Sequence, residues 1–121
     1  MSRSTLKTKS YAFALRIIRL TRYLAKENHE YVIGRQILRC GTAIGALIRE
    51  AEYAESKPDF IHKLHISLKE ANETDYWLSL LKDSDYISRK AYESLKKDID
   101  ELLAILVASI KTAKKISSDN E

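Results

Sequence analysis

Chain breakers are almost absent from this sequence. Of its 121 residues only Pro58 and three glycines interrupt helical propensity, and Gly34, Gly41 and Gly45 all fall within one stretch. Strands are usually bounded by clusters of Gly, Pro, Asn and Asp. Without such punctuation the chain reads as long helices joined by brief connections. The glycines themselves sit in GRQILRCGTAIGALIREAEYA, which is otherwise helical in pattern. A glycine inside a helix costs about 0.5–1 kcal/mol relative to alanine. Their spacings of seven and four project them onto nearly one line of a helix surface. The expectation is a notch that admits another backbone, from the same chain or from a neighbouring subunit.

Apolar periodicity gives four helices. In the first, residues 5–27, Leu6, Phe13, Ile17, Leu20 and Leu24 share one narrow face, and Lys9, Arg16, Arg19 and Lys26 gather on another. The second, residues 30–54, carries the stripe Ile33, Ile37, Ile44, Ile48 and Ala51, with the glycine line to one side. Ser56 is placed as the N-cap of the third helix, residues 58–82, with Pro58 in its first turn and Asp59 at the positive end of its dipole. Its predicted inner stripe is Ile61, Leu64, Leu68, Ala71 and Leu78. Ile66, Trp77 and Leu80 lie on the opposite side, so this helix is apolar on two sides and calls for a second neighbour, such as another subunit. Asp75 intrudes into the inner stripe, and the sequence gives no account of it. Ser88 is the predicted N-cap of the fourth helix, residues 88–115, with Ile87 and Tyr92 as a hydrophobic staple. Leu95, Ile99, Leu102, Leu106, Ile110 and Ala113 make its single apolar face. Residues 117–121 are expected to be a disordered tail. The fold class is therefore all-α, an antiparallel up-down-up-down four-helix bundle, with residues 1–121 forming one domain.

The charge is unevenly placed. Seven of the 21 basic residues lie in residues 1–26, whereas all 17 acids lie after them. Clustered cations mark an anionic partner or simply a solvated helix face. The candidate nucleic-acid contacts are Lys9, Arg16, Arg19, Arg22 and Lys26, with Lys111, Lys114 and Lys115 as a second group. Tyr11 and Tyr23 lie among the first group, where they can stack on bases or pack at a helix edge. The candidate packing or oligomer contacts are Gly34, Gly41, Gly45, Ile66, Trp77 and Leu80.

Motifs for chemistry are missing. Di-iron bundles need Glu-x-x-His on two helices, and none occurs here. His62 and His65 share a helix with Glu70 and Glu73, but no matching set lies on a second helix. Cys40, the only cysteine, sits mid-helix among apolar and small residues, where a structural thiol is expected. There is no phosphate-binding glycine loop and no serine elbow. The expectation is no catalytic activity, no cofactor, no metal and no small-molecule substrate. The longest apolar run, residues 102–110, is far too short to span a bilayer, and no signal peptide is recognisable. A cytoplasmic location without membrane partners is expected.

Gln36, Leu38, Arg39, Gly41, Thr42, Ile44, Gly45, Ala46, Glu50 and Ala51 are followed at fixed spacing by Ser56, Asp59, Phe60, Lys63, Ser67, Lys69, Glu70, Ala71, Glu73, Thr74, Tyr76, Trp77 and Leu78. Over residues 36–81 this pattern resembles the 23S rRNA intervening-sequence, or S23-type, family, and the flanking helices match in length. Cys40 and Ala43 stand where serines are usual, which keeps the notch small-sided, and Leu47 stands where asparagine is common. The resemblance implies a non-enzymatic bundle that assembles with itself into a ring, typically a homopentamer. A more distant similarity, to the accessory protein of diversity-generating retroelements, implies association with RNA or DNA. The alternative is a purely structural or protein–protein adaptor that binds no nucleic acid.

Overall fold

The computed structural model describes residues 3–119, with side chains described for residues 5–116. Four helices follow one another: α1 (Arg3–Asn28), α2 (Val32–Glu52), α3 (Lys57–Asp83) and α4 (Arg89–Asp119). Each packs on its sequence neighbour, and α4 closes back on α1, giving an antiparallel four-helix bundle. The expected tail is partly helix: α4 continues through residues 117–119, while residues 120 and 121 lie outside the described residues.

Local capping explains the bounds. The Glu30 carboxylate accepts from the amides of Val32 (3.1 Å), Ile33 (3.0 Å) and Gly34 (2.9 Å), so one side chain satisfies three orphan donors of α2. At α3, Ser56 Oγ accepts from the Asp59 amide and the Asp59 carboxylate accepts from the Glu55 amide, both at 3.2 Å. Ser88 Oγ accepts from the Ala91 amide at 3.0 Å and starts α4, next to buried Ile87. Two turns need left-handed backbone, and neither uses glycine: His29 has φ 51° and Asp85 φ 64°. At the second, Tyr86 N donates to Leu81 O (2.9 Å) and Asp85 N to Lys82 O (3.1 Å), the two hydrogen bonds of a Schellman cap.

The glycines serve packing instead. A Cβ built on Gly41 would lie 2.9 Å from Ile17 Cγ1, and one on Gly45 would lie 3.1 Å from Ser10 Oγ and 3.5 Å from the Ser10 backbone carbon. The notch at Gly41 and Gly45 is therefore filled by α1 of the same chain, the first of the two neighbours that the sequence leaves open. Gly34 is also buried, but a Cβ built there would meet only the Glu30 carboxylate, at 3.7 Å.

Leu6, Phe13, Ile17, Leu20 and Leu24 of α1 are buried, as are the expected stripe residues of α4. On α2 the exception is Ile33, which is half-buried. The inner face of α3 differs from the expected stripe. It consists of Leu64, Ser67, Ala71, Thr74, Leu78 and Leu81, and Ile61 and Leu68 move to its edge. The reason is that two hydroxyls are satisfied inside: Ser67 Oγ donates to Ile44 O at 2.9 Å, and Thr74 Oγ1 lies 2.8 Å from Glu70 O. Small residues there bring α2 and α3 into the most extensive helix interface of the bundle, whereas α1 and α4 share the thinnest. Asp75 is also explained: its carboxylate pairs with Lys96 of α4 at 2.9 Å.

Gly41→Ala should destabilise the fold by about 1–3 kcal/mol, because the buried branched Ile17 has nowhere to move and overpacking exceeds the helix-propensity gain. Gly34→Ala meets only ordinary van der Waals distance and should stabilise by about 0.5–1 kcal/mol. Denaturant unfolding of the two variants measures both signs.

Candidate nucleic-acid interface and assembly surfaces

The basic first helix is not uniformly basic once folded. Antiparallel packing of α4 on α1 brings acids to two of its cations. Lys9 Nζ lies 2.6 Å from Glu101, and Arg16 lies 2.6 Å from Asp98 and 2.8 Å from Ser94 Oγ. At the far edge Lys7 reaches Glu52 of α2 at 3.4 Å. Lys9 and Arg16 are thus placed in the α1–α4 seam with their charge opposed, which separates them from the other three candidates. Arg19, Arg22 and Lys26 are exposed and make no ion pair among the described residues. At helical period these three fall within a narrow sector of the outer face of α1, one to two turns apart. Lys111, Lys114 and Lys115 are exposed near the other end of the bundle.

Two of the surface hollows that adjoin α1 differ in charge. The larger, about 1020 Å³, runs between α1 and α2 to the start of α3. Its wall includes Tyr11, Leu15, Ala46 and Tyr53, and Tyr53 is 83% exposed, so apolar area faces solvent here. Its rim mixes Lys7, Arg49 and Lys63 with Glu50, Glu55 and Asp59. The smaller, about 400 Å³, opens between α1 and α4 and is lined by Arg16, Arg19, Leu20, Tyr23, Ile87, Ser88, Ala91 and Leu95, with no acid among them.

The second side of α3 is partly covered within the chain. Trp77 packs against the core, donates its indole N–H to Glu73 at 3.0 Å and meets the Tyr76 ring edge-on at 5.3 Å. Ile66 and Leu80 are half-buried. Arg39 bridges Glu70 and Glu73 across the α2–α3 boundary, so that surface is electrostatically closed. Gly41 and Gly45 lie inside against α1, and Gly34 beside the Glu30 cap.

Nucleophilic chemistry finds little purchase. Cys40 is buried, and burial pushes its thiol pKa up, partly opposed by the Thr74 hydroxyl 3.2 Å from its sulfur. Lys96 sits between Asp75 and Asp100, each at 2.9 Å, and their hydrogen bonds hold its ammonium well above the ordinary lysine range. Among the described residues no group of three or more His, Cys, Asp and Glu is placed to hold a metal, and no helix is long and apolar enough to cross a membrane.

Sequence reasoning missed the α1–α2 hollow and the α4 acids. Tyr53 and Leu15 are far apart in sequence, and only the α1–α2 register brings them together. The one available signal was the pair Tyr11 and Tyr53, which periodicity alone leaves unplaced.

A family model described as 23S rRNA-intervening sequence protein matches residues 3–108. Among solved structures, the chain is similar to a crystal structure from Bacteroides thetaiotaomicron, described as a protein with unknown function from the S23 ribosomal protein family. Identity is 54%, covering 88% of this chain and 98% of that one, with a TM-score of 0.87. No curated protein gives a significant match.

Because the thiolate is the reactive form, the Cys40 thiol should resist iodoacetamide in the native protein at mildly alkaline pH and react readily in denaturant. Mass spectrometry reads the difference, and equal labelling in both states would contradict a shielded thiol.

Proposed function

The chain belongs to the 23S rRNA-intervening sequence protein family, and from that membership we propose that it is a non-catalytic homo-oligomeric bundle, a pentameric ring, that associates with RNA or DNA through basic surfaces repeated around the ring. The observation that carries the nucleic-acid part is the separation of the α1 cations into two sets. Lys9 and Arg16 are neutralised by α4, while Arg19, Arg22 and Lys26 form an exposed patch with no acid partner among the described residues. Interactions with single phosphates are weak, and repetition around a ring supplies avidity.

Assembly is supported by the α1–α2 hollow. It exposes Tyr11, Leu15 and Tyr53 inside a rim of both charge signs, which suits a protein surface of mixed charge and not a polyanion. We assign it to a second copy of this chain. A second copy offers exposed Val107 on α4 and its own mixed charges, and a head-to-tail arrangement of this kind makes a ring when the rotation between copies closes. The hollow would equally receive a different protein if the chain were an adaptor without nucleic-acid binding.

Light scattering coupled to size exclusion should give a multiple of the 13.9 kDa chain mass at micromolar concentration, and Leu15→Glu with Tyr53→Glu should reduce it. A monomeric wild type would refute assembly. In binding to a structured rRNA fragment, affinity should fall steeply with salt. Arg19→Glu and Arg22→Glu should each lower the log–log salt slope by about one, the share of a single neutralised phosphate, whereas Arg16→Ala should change it less. No binding at low salt would leave the adaptor reading.

A further inference from the structure

The thin α1–α4 seam has a consequence at the upper half of α1. Next to the Arg16–Asp98 pair, the cleft of about 400 Å³ opens between the two helices. Its floor is apolar: Leu20, Ile87 and Leu95 are buried core residues whose edges line it. One wall is the Tyr23 ring, 48% exposed and without a ring partner among the described residues. The other polar groups are guanidinium heads and the Ser88 hydroxyl. Arg16 is already held by Asp98 and Ser94, so its charge is opposed and it serves only as a fixed wall; Arg19 is exposed and unpaired, and Arg22 stands one turn from it. Asp98 is committed to Arg16, and Asp83 and Asp85 line an adjoining hollow that shares Tyr23, Ile87 and Ser88 with the cleft but holds neither Arg16 nor Arg19.

We infer that this α1–α4 cleft seats one unpaired nucleotide of a single-stranded nucleic acid, its base against the Tyr23 ring and its phosphate on Arg19. The chemistry required by such a ligand is a π face, an apolar floor for the base and a cation with no competing carboxylate. All three occur here together. The concave apolar floor offers a seat to a splayed base, whereas a duplex keeps its bases stacked inside. The larger α1–α2 hollow lacks this combination, because its cations alternate with Glu50, Glu55 and Asp59. The inference rests on the nucleic-acid reading above and deepens it, from charge attraction to the choice of unpaired strands.

The test uses the full chain and three labelled probes: an oligouridylate, the matching oligodeoxythymidylate and a blunt RNA duplex. Fluorescence anisotropy at low salt should show both single strands bound more tightly than the duplex. Tyr23→Ala should weaken single-strand binding about 5- to 100-fold while leaving duplex binding nearly unchanged, and Tyr23→Phe should retain it. Arg19→Gln should lower the salt slope for all three probes. Tyr23 is half-exposed, so the bundle should keep its helical circular dichroism in each variant. Equal binding of duplex and single strand, or a silent Tyr23→Ala, overturns the cleft and leaves the nucleic-acid reading standing. Failure of the wild type to bind any probe overturns both. Comparison of the two single strands decides between RNA and DNA as the source of the nucleotide.

Discussion

The close approach of α1 to α2 at Gly41 and Gly45 sets the geometry on which the rest of the packing depends. Without a Cβ at these positions, Ile17 and Ser10 lie directly on the α2 backbone. That fixes the axial register of α1. Register in turn decides which α1 side chains face α4, because antiparallel helices meet residue by residue along their length. Lys9 then falls opposite Glu101 and Arg16 opposite Asp98. A shift of one residue would rotate these cations by about 100° and break both pairs. The surface charge of the protein is therefore a product of its core packing.

The α2–α3 side solves close packing differently. Here the small residues are Ala71, Ser67, Thr74 and Cys40, and the polar atoms are satisfied inside the core. Hydroxyls that bond to helix carbonyls keep the surface small without leaving an unpaired group. No buried side-chain nitrogen or oxygen among the described residues lacks a partner. The two tight interfaces on either side of α2 contrast with the thin α1–α4 seam, which relies on salt bridges at its surface. Exposed pairs of this kind contribute little, about 0–1 kcal/mol each. Hollows open on both sides of α1, the smaller along α4 and the larger along α2, while the α2–α3 surface is closed by Arg39, Glu70, Glu73 and Trp77.

The fold was legible wherever one helix had one apolar face. The stripes of α1 and α4 are visible in the spacing of Leu6, Phe13, Ile17 and of Leu95, Ile99, Leu102, since period alone selects the buried side. For α3 that rule fails. Hydropathy ranks Ile61 and Leu68 above Ser67 and Thr74, but the hydroxyls bury because they are small and find carbonyl partners. Asp75 looked anomalous for the same reason: its partner Lys96 lies on another helix. On the candidate surface, sequence identified the cations as a group and could not divide them. Division needs the register of α4, which is a long-range property. The hollow around Leu15 and Tyr53 was hidden for that reason too.

Register and surface charge together locate where function has room to vary. Substitutions at Gly41, Ser10 or Ile17 act through register and so disturb every charge pair at once. By contrast, Arg19, Arg22, Tyr23 and Lys26 project from the outer side of a helix whose position is already fixed, and all four are exposed. Changing them alters what the surface attracts without altering how the bundle packs. The α4 acids are the intermediate case. Asp98 and Glu101 stand on the outer edge of the seam and set how many of the α1 cations are free. A variant that kept the core without those two acids would release Lys9 and Arg16 to join Arg19, Arg22 and Lys26. On this scaffold the free positive charge of α1 is thus set from α4, across the seam from the helix that bears it.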